Sequence, residues 1–260
     1  MSEDGIERDG FKPGDVVVVT GGGGGFGRAF AQRFAKGGAR VAVWEVRPET
    51  GEETIALVRK AGGDAKFFQV DLSKPAEIER AVQATLTAFG NPYCLINNAS
   101  VYPRASALEM DLDTWERTFK VNITAPWLIA KAFAPAMIAA RRGVIINIAS
   151  GRALEGTPKG ANYACTKAAI ISLTKTLALE WARHNVRCNA IIPGVSFTAQ
   201  PLENTTADEL LARGKARIPL GRVGYPADMA GLAWYLASAD ASYMTGQGVA
   251  MNGGMVLVPQ

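Results

Sequence analysis

A run of valines followed at once by five glycines constrains this chain more than any other feature. Residues 16–19 are four consecutive β-branched residues, a pattern typical of a strand buried on both faces. Residues 21–25 are all glycine, and the amphipathic residues 28–36 predict a helix directly after them. Such a turn permits a close backbone approach, and the helix N-terminus attracts phosphate. The stretch therefore predicts a nucleotide-binding turn rather than a flexible linker.

Strand and helix signals alternate through the rest of the chain. Further strands are predicted at residues 40–45, 65–70, 93–97, 143–148, 186–192 and 247–251. Helices are predicted at residues 48–61, 75–89, 113–140, 162–184 and 226–238, with short helices expected up to Arg217. Pro126 and Pro135 predict a kink in the longest helix. Apolar strands separated by helices imply an α/β fold, a doubly wound parallel sheet of about seven strands with helices on both faces.

The domain organisation follows from length and composition. With 260 residues, 48% of them hydrophobic, the chain can form one large α/β domain or two small ones. No stretch rich in proline, serine or charge divides it, and there is no internal repeat. We therefore predict a polar N-terminal tail at residues 1–12 and a single domain over residues 13–260.

Charge and cysteine usage argue against several classes of protein. The net charge of +4 comes without a basic block, so nucleic-acid binding is not expected. Three cysteines and one histidine lack the spacing of a metal site or a disulfide scaffold. The charged N-terminal residues do not resemble a signal peptide, and no apolar run approaches membrane-spanning length. A soluble cytoplasmic protein without a metal is the expectation.

Tyr163 and Lys167 form a candidate general base. They are four residues apart in a predicted helix, so both side chains should point the same way. A neighbouring cation favours the phenolate and would lower the tyrosine pKa toward neutral pH. A surface helix carrying both residues by chance is the more common explanation of the pair alone.

Further motifs give the pair a context, and together they resemble the short-chain dehydrogenase/reductase family over residues 15–258. The motifs occur in the family's order and are Thr20-Gly21-x-x-x-Gly25-x-Gly27, Asp71-Leu72, Asn97-Asn98-Ala99-Ser100, Asn122, Ser150, Tyr163-x-x-x-Lys167, Pro193-Gly194-x-x-x-Thr198, Thr245-Gly246-Gln247 and Asn252-Gly253-Gly254. Ser150 lies thirteen residues before Tyr163, as the family's catalytic serine does. Ser100 and Asn252 replace a glycine and an aspartate of the family pattern.

The resemblance implies a Rossmann-type domain with four catalytic residues. Tyr163 would be the base in alcohol oxidation and the acid in ketone reduction. Lys167 would lower the tyrosine pKa and bind the nicotinamide ribose, Ser150 would hold the substrate oxygen, and Asn122 would position a water. The implied cofactor-binding residues are Gly21, Gly25, Phe26, Gly27, Glu45, Asp71, Leu72, Asn98, Tyr163, Lys167, Pro193, Ser196 and Thr198.

Glu45, at the end of the second predicted strand, favours NAD over NADP. A carboxylate there accepts hydrogen bonds from the adenosine ribose hydroxyls and repels a 2′-phosphate. Relatives that prefer NADP tend to carry basic residues at the positions of Gly24 and Val46. Arg47 lies two residues after Glu45, and an arginine near this position can bind a 2′-phosphate. NADP is therefore the less favoured alternative.

The substrate is less constrained than the cofactor. Ser150 and Tyr163 would contact it, and Arg104 and Arg152 follow the fourth strand and Ser150 closely enough to bind an acidic group, although exposed loop charges are the simpler explanation. The alternatives are an NADPH-dependent ketone or 3-oxoacyl reductase and a non-catalytic nucleotide sensor. The family resemblance also implies a homotetramer, or a dimer, packed through the helices at residues 113–140 and 161–184.

Overall fold

Seven strands form the centre of the molecule in a computed structural model that describes residues 9–202 and 205–255. The strands are β1 Val16–Thr20, β2 Arg40–Glu45, β3 Asp64–Gln69, β4 Cys94–Asn97, β5 Gly143–Ile148, β6 Val186–Pro193 and β7 Gly248–Met251. All neighbours pair in parallel, in the order β3-β2-β1-β4-β5-β6-β7. The predicted fold class is therefore confirmed.

Helices occupy both faces of this sheet. They are α1 Gly25–Lys36, α2 Pro48–Lys60, α3 Pro75–Phe89, α4 Leu112–Phe119, α5 Ala125–Ala139, α6 Arg152–Glu155, α7 Ala161–Trp181, α8 Ala199–Leu202, α9 Ala207–Arg217 and α10 Pro226–Ala237. One hydrophobic core lies on the side of α1 and α10, and a second lies under α3, α5 and α7. Because the valines of β1 contribute to both cores, alternate side chains of that strand are buried on opposite faces.

The order of the strands fixes where a ligand can bind. From β1 the sheet grows outward in one direction through β2 and β3, and then in the other direction from β4. Loops at the carboxyl ends of β1 and β4 therefore diverge and leave a crevice between them. The glycine turn follows β1, and Asn98 follows β4, so both predicted cofactor elements border this crevice.

The longest predicted helix is interrupted by a π-turn. α4 and α5 are joined by Lys120–Thr124, which has the wider π-helical geometry and contains Asn122. Pro126 follows within the first turn of α5, and it has no N–H to donate to the carbonyl four residues earlier. The break predicted at Pro126 is thus taken up by a π-turn, whereas Pro135 lies inside α5. A π-turn of this kind often marks a functional site.

The combined helix Leu112–Ala139 is long and apolar enough to cross a membrane by length and composition alone. It has 28 residues with a mean hydropathy of 1.3, and half of its most apolar window is buried in the protein. A core helix of a soluble protein passes the same test, and Ile129 and Phe133 of this helix lie in the second core. The helix is therefore weak support for a membrane span.

The predicted N-terminal tail ends earlier than residue 12. The carboxylate of Asp9 lies 2.8 Å from the guanidinium of Arg142, and the backbone N–H of Phe11 donates to the carbonyl of Ala237 at 3.0 Å. The ring of Phe11 also packs against Trp234 with 4.9 Å between ring centroids. Residues 9–12 therefore belong to the folded domain. The apolar ring of Phe11 is the reason, because it packs against Trp234 instead of facing solvent. Residues 1–8 lie outside the described residues.

Candidate active site

The glycine turn is shaped so that only glycine fits at its key positions. Gly21 and Gly25 have φ angles of 62° and 49°, in the left-handed region that side chains disfavour. A Cβ built on Gly21 would lie 2.8 Å from the Cα of Ala99, and one on Gly27 would collide with the carbonyl of Gly21. The turn therefore packs directly against β4 and against the start of α1.

Thr20 and Asn98 hold the two loops of the crevice together. The hydroxyl of Thr20 accepts from the backbone N–H groups of Asn98 and Ala99 at 3.0 and 3.1 Å. The side-chain amide of Asn98 donates to the carbonyls of Thr20 and Gly21 at 3.0 and 3.1 Å. Asn98 thus fastens the turn, and its predicted contact with the cofactor stays a prediction.

The start of α1 suits a phosphate. Its N-cap is Gly24, which has no side chain to cap the first N–H groups, so these donors remain for a ligand. A Cβ built on Gly24 would touch none of the described residues, and one on Gly25 would meet only Thr198 of the described residues, at 3.5 Å. The turn is open outward except where Thr198 covers it, so the residues present fit a dinucleotide pyrophosphate. Thr198 is accordingly beside the turn, and its predicted contact with the cofactor stays a prediction.

Glu45 links the end of β2 to the glycine turn. Its Oε2 accepts from the N–H of Gly23 at 3.1 Å, and its Oε1 accepts from the N–H groups of Val46 and Arg47 at 3.1 and 3.2 Å. The side chain is 7% exposed, and the guanidinium of Arg47 lies 3.6 Å from Oε1. A buried carboxylate therefore faces the turn, with a partly compensating cation on its solvent side.

Asp71 stands at the edge of a cavity of about 620 Å³ that extends from Val46 toward α3. Its carboxylate accepts from the N–H and hydroxyl of Ser73 at 2.9 and 2.7 Å. Burial acts to raise the pKa of Asp71, but the Ser73 hydrogen bonds and the nearby cations Lys74 and Arg117 together hold it below its usual value. Asp71, which the family resemblance predicts to bind the cofactor, is thus ionised and fixed in place.

Tyr163 and Lys167 lie together on α7, both buried, with 7% and 2% of their surfaces exposed. The Lys167 Nζ lies 5.5 Å from the Tyr163 ring centroid and donates to the carbonyl of Ile148 at 2.8 Å. Burial lowers the pKa of Lys167 to about 7 and raises the pKa of Tyr163 above its ordinary value. About half of the Lys167 side chains are therefore protonated near pH 7, and burial opposes the lowering of the Tyr163 pKa that the sequence predicted.

Ser150 and Gln200 lie close to the Tyr163 hydroxyl. Burial is the largest influence on the pKa of Tyr163 and raises it, whereas hydrogen bonding by Ser150 and Gln200 and the charge of Arg152 act to lower it. The structure thus brings Ser150 to Tyr163 as the sequence predicted. Gln200 lies in α8 and was not predicted, since no spacing rule relates a residue of that segment to Tyr163.

Asn122 uses its side chain to fasten the loop after β4. Its Oδ1 accepts from the N–H of Val101 at 2.9 Å, and its amide donates to the Val101 carbonyl and to the Thr166 hydroxyl at 3.0 and 3.1 Å. Both amide hydrogens are therefore in use. The backbone carbonyl of Asn122 loses its helical donor at Pro126, so a water positioned by this residue would bind that carbonyl.

Four further predicted positions have contacts that the structure describes. Ser196 is buried and donates to the carbonyl of Gly194, while Phe26 packs on Phe30 beside the turn. Arg152 is 41% exposed and lies 3.5 Å from Glu155, and the guanidinium of Arg104 lies 5.5 Å from the ring centroid of Tyr102. The two arginines are thus close to the Tyr163 region but have partners of their own.

Comparison with known proteins places this site in a family. A family model described as enoyl-(acyl carrier protein) reductase matches residues 22–256. The 2,5-dichloro-2,5-cyclohexadiene-1,4-diol dehydrogenase LinX of Sphingobium indicum is 36% identical over 241 residues, 93% of this chain and 96% of that relative. The 3-oxoacyl-[acyl-carrier-protein] reductase FabG of Chlamydia pneumoniae is 36% identical over 242 residues, 93% of this chain and 97% of that relative.

A solved structure gives the same result for the fold. A proposed NAD(P)-dependent gluconate 5-dehydrogenase from Beutenbergia cavernae, with NADP bound at low occupancy, superposes with a TM-score of 0.88 at 38% sequence identity. The match covers 94% of this chain and 97% of that one. Together with the glycine turn and the grouping of Ser150, Tyr163 and Lys167, these matches show that the chain belongs to the short-chain dehydrogenase/reductase family of oxidoreductases.

Proposed function

We propose that the protein transfers a hydride between NAD(H) and a secondary alcohol or ketone, with Tyr163 as the general base or acid. The position of Ser150 next to the buried Tyr163 hydroxyl, close enough to lower the pKa of that hydroxyl, supports this most directly. It creates a place where a substrate oxygen can bond to both groups at once. The glycine turn borders the same crevice, so a cofactor and a substrate can be held side by side.

Each residue of the site has a distinct part in the proton transfer. In oxidation, Ser150 holds the alcohol oxygen and the Tyr163 phenolate accepts the hydroxyl proton; in reduction, the phenol returns it to the ketone oxygen. Lys167 stabilises the phenolate only when it is protonated. Proton uptake by Lys167 and proton loss from Tyr163 therefore favour each other, and the two groups titrate as a coupled pair. The Asn122 carbonyl would hold a water that exchanges protons with solvent.

The cofactor would be held by the glycine turn, Glu45 and Asp71, and when bound it would supply the hydride acceptor or donor. Free N–H groups at the start of α1 would bind its pyrophosphate. The buried carboxylate of Glu45 would accept hydrogen bonds from the adenosine ribose and disfavour a 2′-phosphate. The NADP bound to a relative shows that the fold alone does not decide this preference, so the assignment of NAD rests on Glu45.

Replacing Glu45 by alanine is expected to relax the preference for NAD. The change removes a charged acceptor, which corresponds to a loss of about 10- to 100-fold in the ratio of kcat/KM for NAD over NADP. Steady-state kinetics with both cofactors measures the ratio. Glu52→Ala, an exposed glutamate on α2, is the matched control and should leave it unchanged. If the kinetics of Glu45→Ala with both cofactors equal those of the parent, the assignment of NAD is wrong.

The substrate class is proposed as a secondary alcohol or its ketone, in keeping with the diol and gluconate dehydrogenases among the relatives. Arg152 lies near Tyr163 and would bind an acidic group on the substrate. For a hydroxy acid, Arg152→Ala should therefore raise KM by about 10-fold or more, while KM for a neutral secondary alcohol stays constant. An unchanged KM for every acidic substrate found in a panel of polyols, sugars and hydroxy acids would exclude this role.

Reduction of 3-oxoacyl thioesters with NADPH is the alternative activity, because FabG proteins are among the relatives. Acetoacetyl thioesters in the same panel test it.

A homotetramer, or a dimer, also stays a prediction, as does a cytoplasmic location. Trp127 of α5 is 43% exposed and Leu179 of α7 is 85% exposed, so these helices present apolar surface that a second copy would cover. Sedimentation equilibrium measures the state of assembly.

A further inference from the structure

The ring of Tyr102 lies flat against the ring of Tyr163. The ring centroids are 4.2 Å apart and the ring planes make an angle of 24°. Such a stack restricts rotation of both rings and keeps water from the covered face. Tyr102 comes four residues after Asn98 in the loop that follows β4, so it approaches Tyr163 from a different part of the fold.

The loop that carries Tyr102 is fastened on both sides of this residue. Val101 exchanges two hydrogen bonds with the side chain of Asn122, at 2.9 and 3.0 Å. The carbonyl of Pro103 accepts from the side-chain amide of Asn162 at 3.2 Å, and the Asn162 Oδ1 accepts from the N–H of Tyr163 at 2.8 Å. Asn162 therefore connects the Tyr102 loop to the backbone of Tyr163 itself.

A glycine leaves room for the stacked ring. Gly160 is the N-cap of α7, and a Cβ built on it would lie 2.7 Å from the Tyr102 hydroxyl oxygen and 2.8 Å from its Cε2. Any side chain there would push the ring of Tyr102 away from Tyr163. Three independent features thus support one arrangement: the two fastened neighbours, the gap at Gly160 and the parallel rings.

We propose that Tyr102 is a positioning residue, which acts on the reaction by holding the ring of Tyr163 in the plane that directs its hydroxyl toward Ser150. Tyr102 does not exchange a proton with the substrate. The face of the Tyr102 ring restrains the Tyr163 ring, so the Tyr102 hydroxyl is not needed for this restraint. The catalytic consequence rests on the proposed function, whereas the constraint on the Tyr163 ring does not.

Removing the stacked ring also changes the surroundings of Tyr163. The groups that act on its hydroxyl are Ser150, Gln200, Tyr102, Arg152 and Lys167. Truncation of Tyr102 removes one of these groups, which acts to raise the pKa of Tyr163, together with the stacked ring. The loss of the apolar cover admits water to the ring, which reduces the cost of ionisation. The pKa of Tyr163 should then fall toward its ordinary value, because burial is the main cause of its rise.

The kinetic test compares Tyr102→Leu with Tyr102→Phe. Leucine removes the ring face, so kcat for a secondary alcohol is expected to fall about 10- to 100-fold as the Tyr163 hydroxyl loses its orientation. Phenylalanine keeps the face and should retain kcat within about 3-fold. KM for NAD should stay constant in both variants. Tyr102→Met, a flexible side chain without a ring, repeats the test if the leucine variant is poorly folded by thermal unfolding.

A second measurement needs no substrate. The protein has six tyrosines, and replacement of all of them by 3-fluorotyrosine gives fluorine signals of which that of Tyr163 is assigned by Tyr163→Phe. In Tyr102→Leu this signal should titrate at lower pH than in the parent, and in Tyr102→Phe, which loses only the charge effect of the Tyr102 hydroxyl, the shift should be smaller. A parent-like titration in Tyr102→Leu, or equal damage from leucine and phenylalanine, overturns the proposal. If no alcohol or ketone is turned over by the parent, the proposed function fails, while the titration still decides the role of Tyr102.

Discussion

Tyr163→Phe is expected to lower kcat for alcohol oxidation and ketone reduction by about 10³-fold, within the range that positioned acid–base groups contribute. Only the hydroxyl is lost, and the ring stays stacked on Tyr102, so the crevice keeps its shape. Ser150 would still bind the substrate oxygen, but no group within reach would accept or donate the proton. KM for NAD should change little, since the glycine turn and Glu45 do not contact the Tyr163 hydroxyl in the described residues.

The control for this variant is Tyr235→Phe, which removes a hydroxyl from a tyrosine that is 40% exposed on α10. It should leave kcat and KM unchanged. Binding of NAD to Tyr163→Phe, followed by tryptophan fluorescence, checks that the nucleotide site is intact. Turnover by Tyr163→Phe within about 10-fold of the parent, in both reaction directions, would contradict the assignment of the base and with it the proposed mechanism.

The fold was predictable because its signals are local. The valines of β1 are buried on both faces of the sheet, which is what a run of β-branched residues predicts. Glycines follow because the turn needs positive φ angles and packs closely against the residues after β4. The π-turn at Asn122 was not predicted, although Pro126 predicted an interruption of the helix. Sequence spacing shows that a helical hydrogen bond is missing but not whether the chain bends or widens in response.

The site was predictable in its members but not in its electrostatics. The sequence placed Ser150, Tyr163 and Lys167 together, because family motifs and helical spacing agree. It predicted that Lys167 lowers the pKa of Tyr163, and it did not predict the deep burial that raises the pKa of Tyr163 and lowers the pKa of Lys167. Burial of Tyr163 depends on packing by Tyr102, which lies in a loop that no periodicity describes.

Burial of Lys167 leads to the second large effect, a gain in stability from Lys167→Met. In the unfolded chain the lysine has a pKa near 10.5, and in the folded protein burial lowers it to about 7. Below about pH 7 the lysine is charged in both states and folding bears the full cost of burying the charge. Above about pH 10.5 it is neutral in both states and that cost vanishes. The stability of the parent should therefore rise between these two pH values.

The free energy at stake is large enough to measure. The difference between the two pKa values corresponds to at most about 5 kcal/mol. Loss of the hydrogen bond from Lys167 to the Ile148 carbonyl offsets about 1–3 kcal/mol of the gain. Lys167→Met is therefore expected to be more stable than the parent by about 1–3 kcal/mol at pH 7, with an advantage that shrinks as the pH approaches 10.5.

Urea unfolding at about pH 7 and about pH 10 measures this difference, and kcat measured on the same samples should fall by about 10²-fold or more because the phenolate of Tyr163 loses its cation. Lys175→Met, at an exposed position of α7, is the matched control and should change neither quantity. Stability and activity would thus move in opposite directions at one position, as expected where a buried charge is kept for catalysis. If Lys167→Met is no more stable than the parent at pH 7, or if its advantage is the same at pH 10, Lys167 does not carry the buried, titrating charge on which the coupled pair depends.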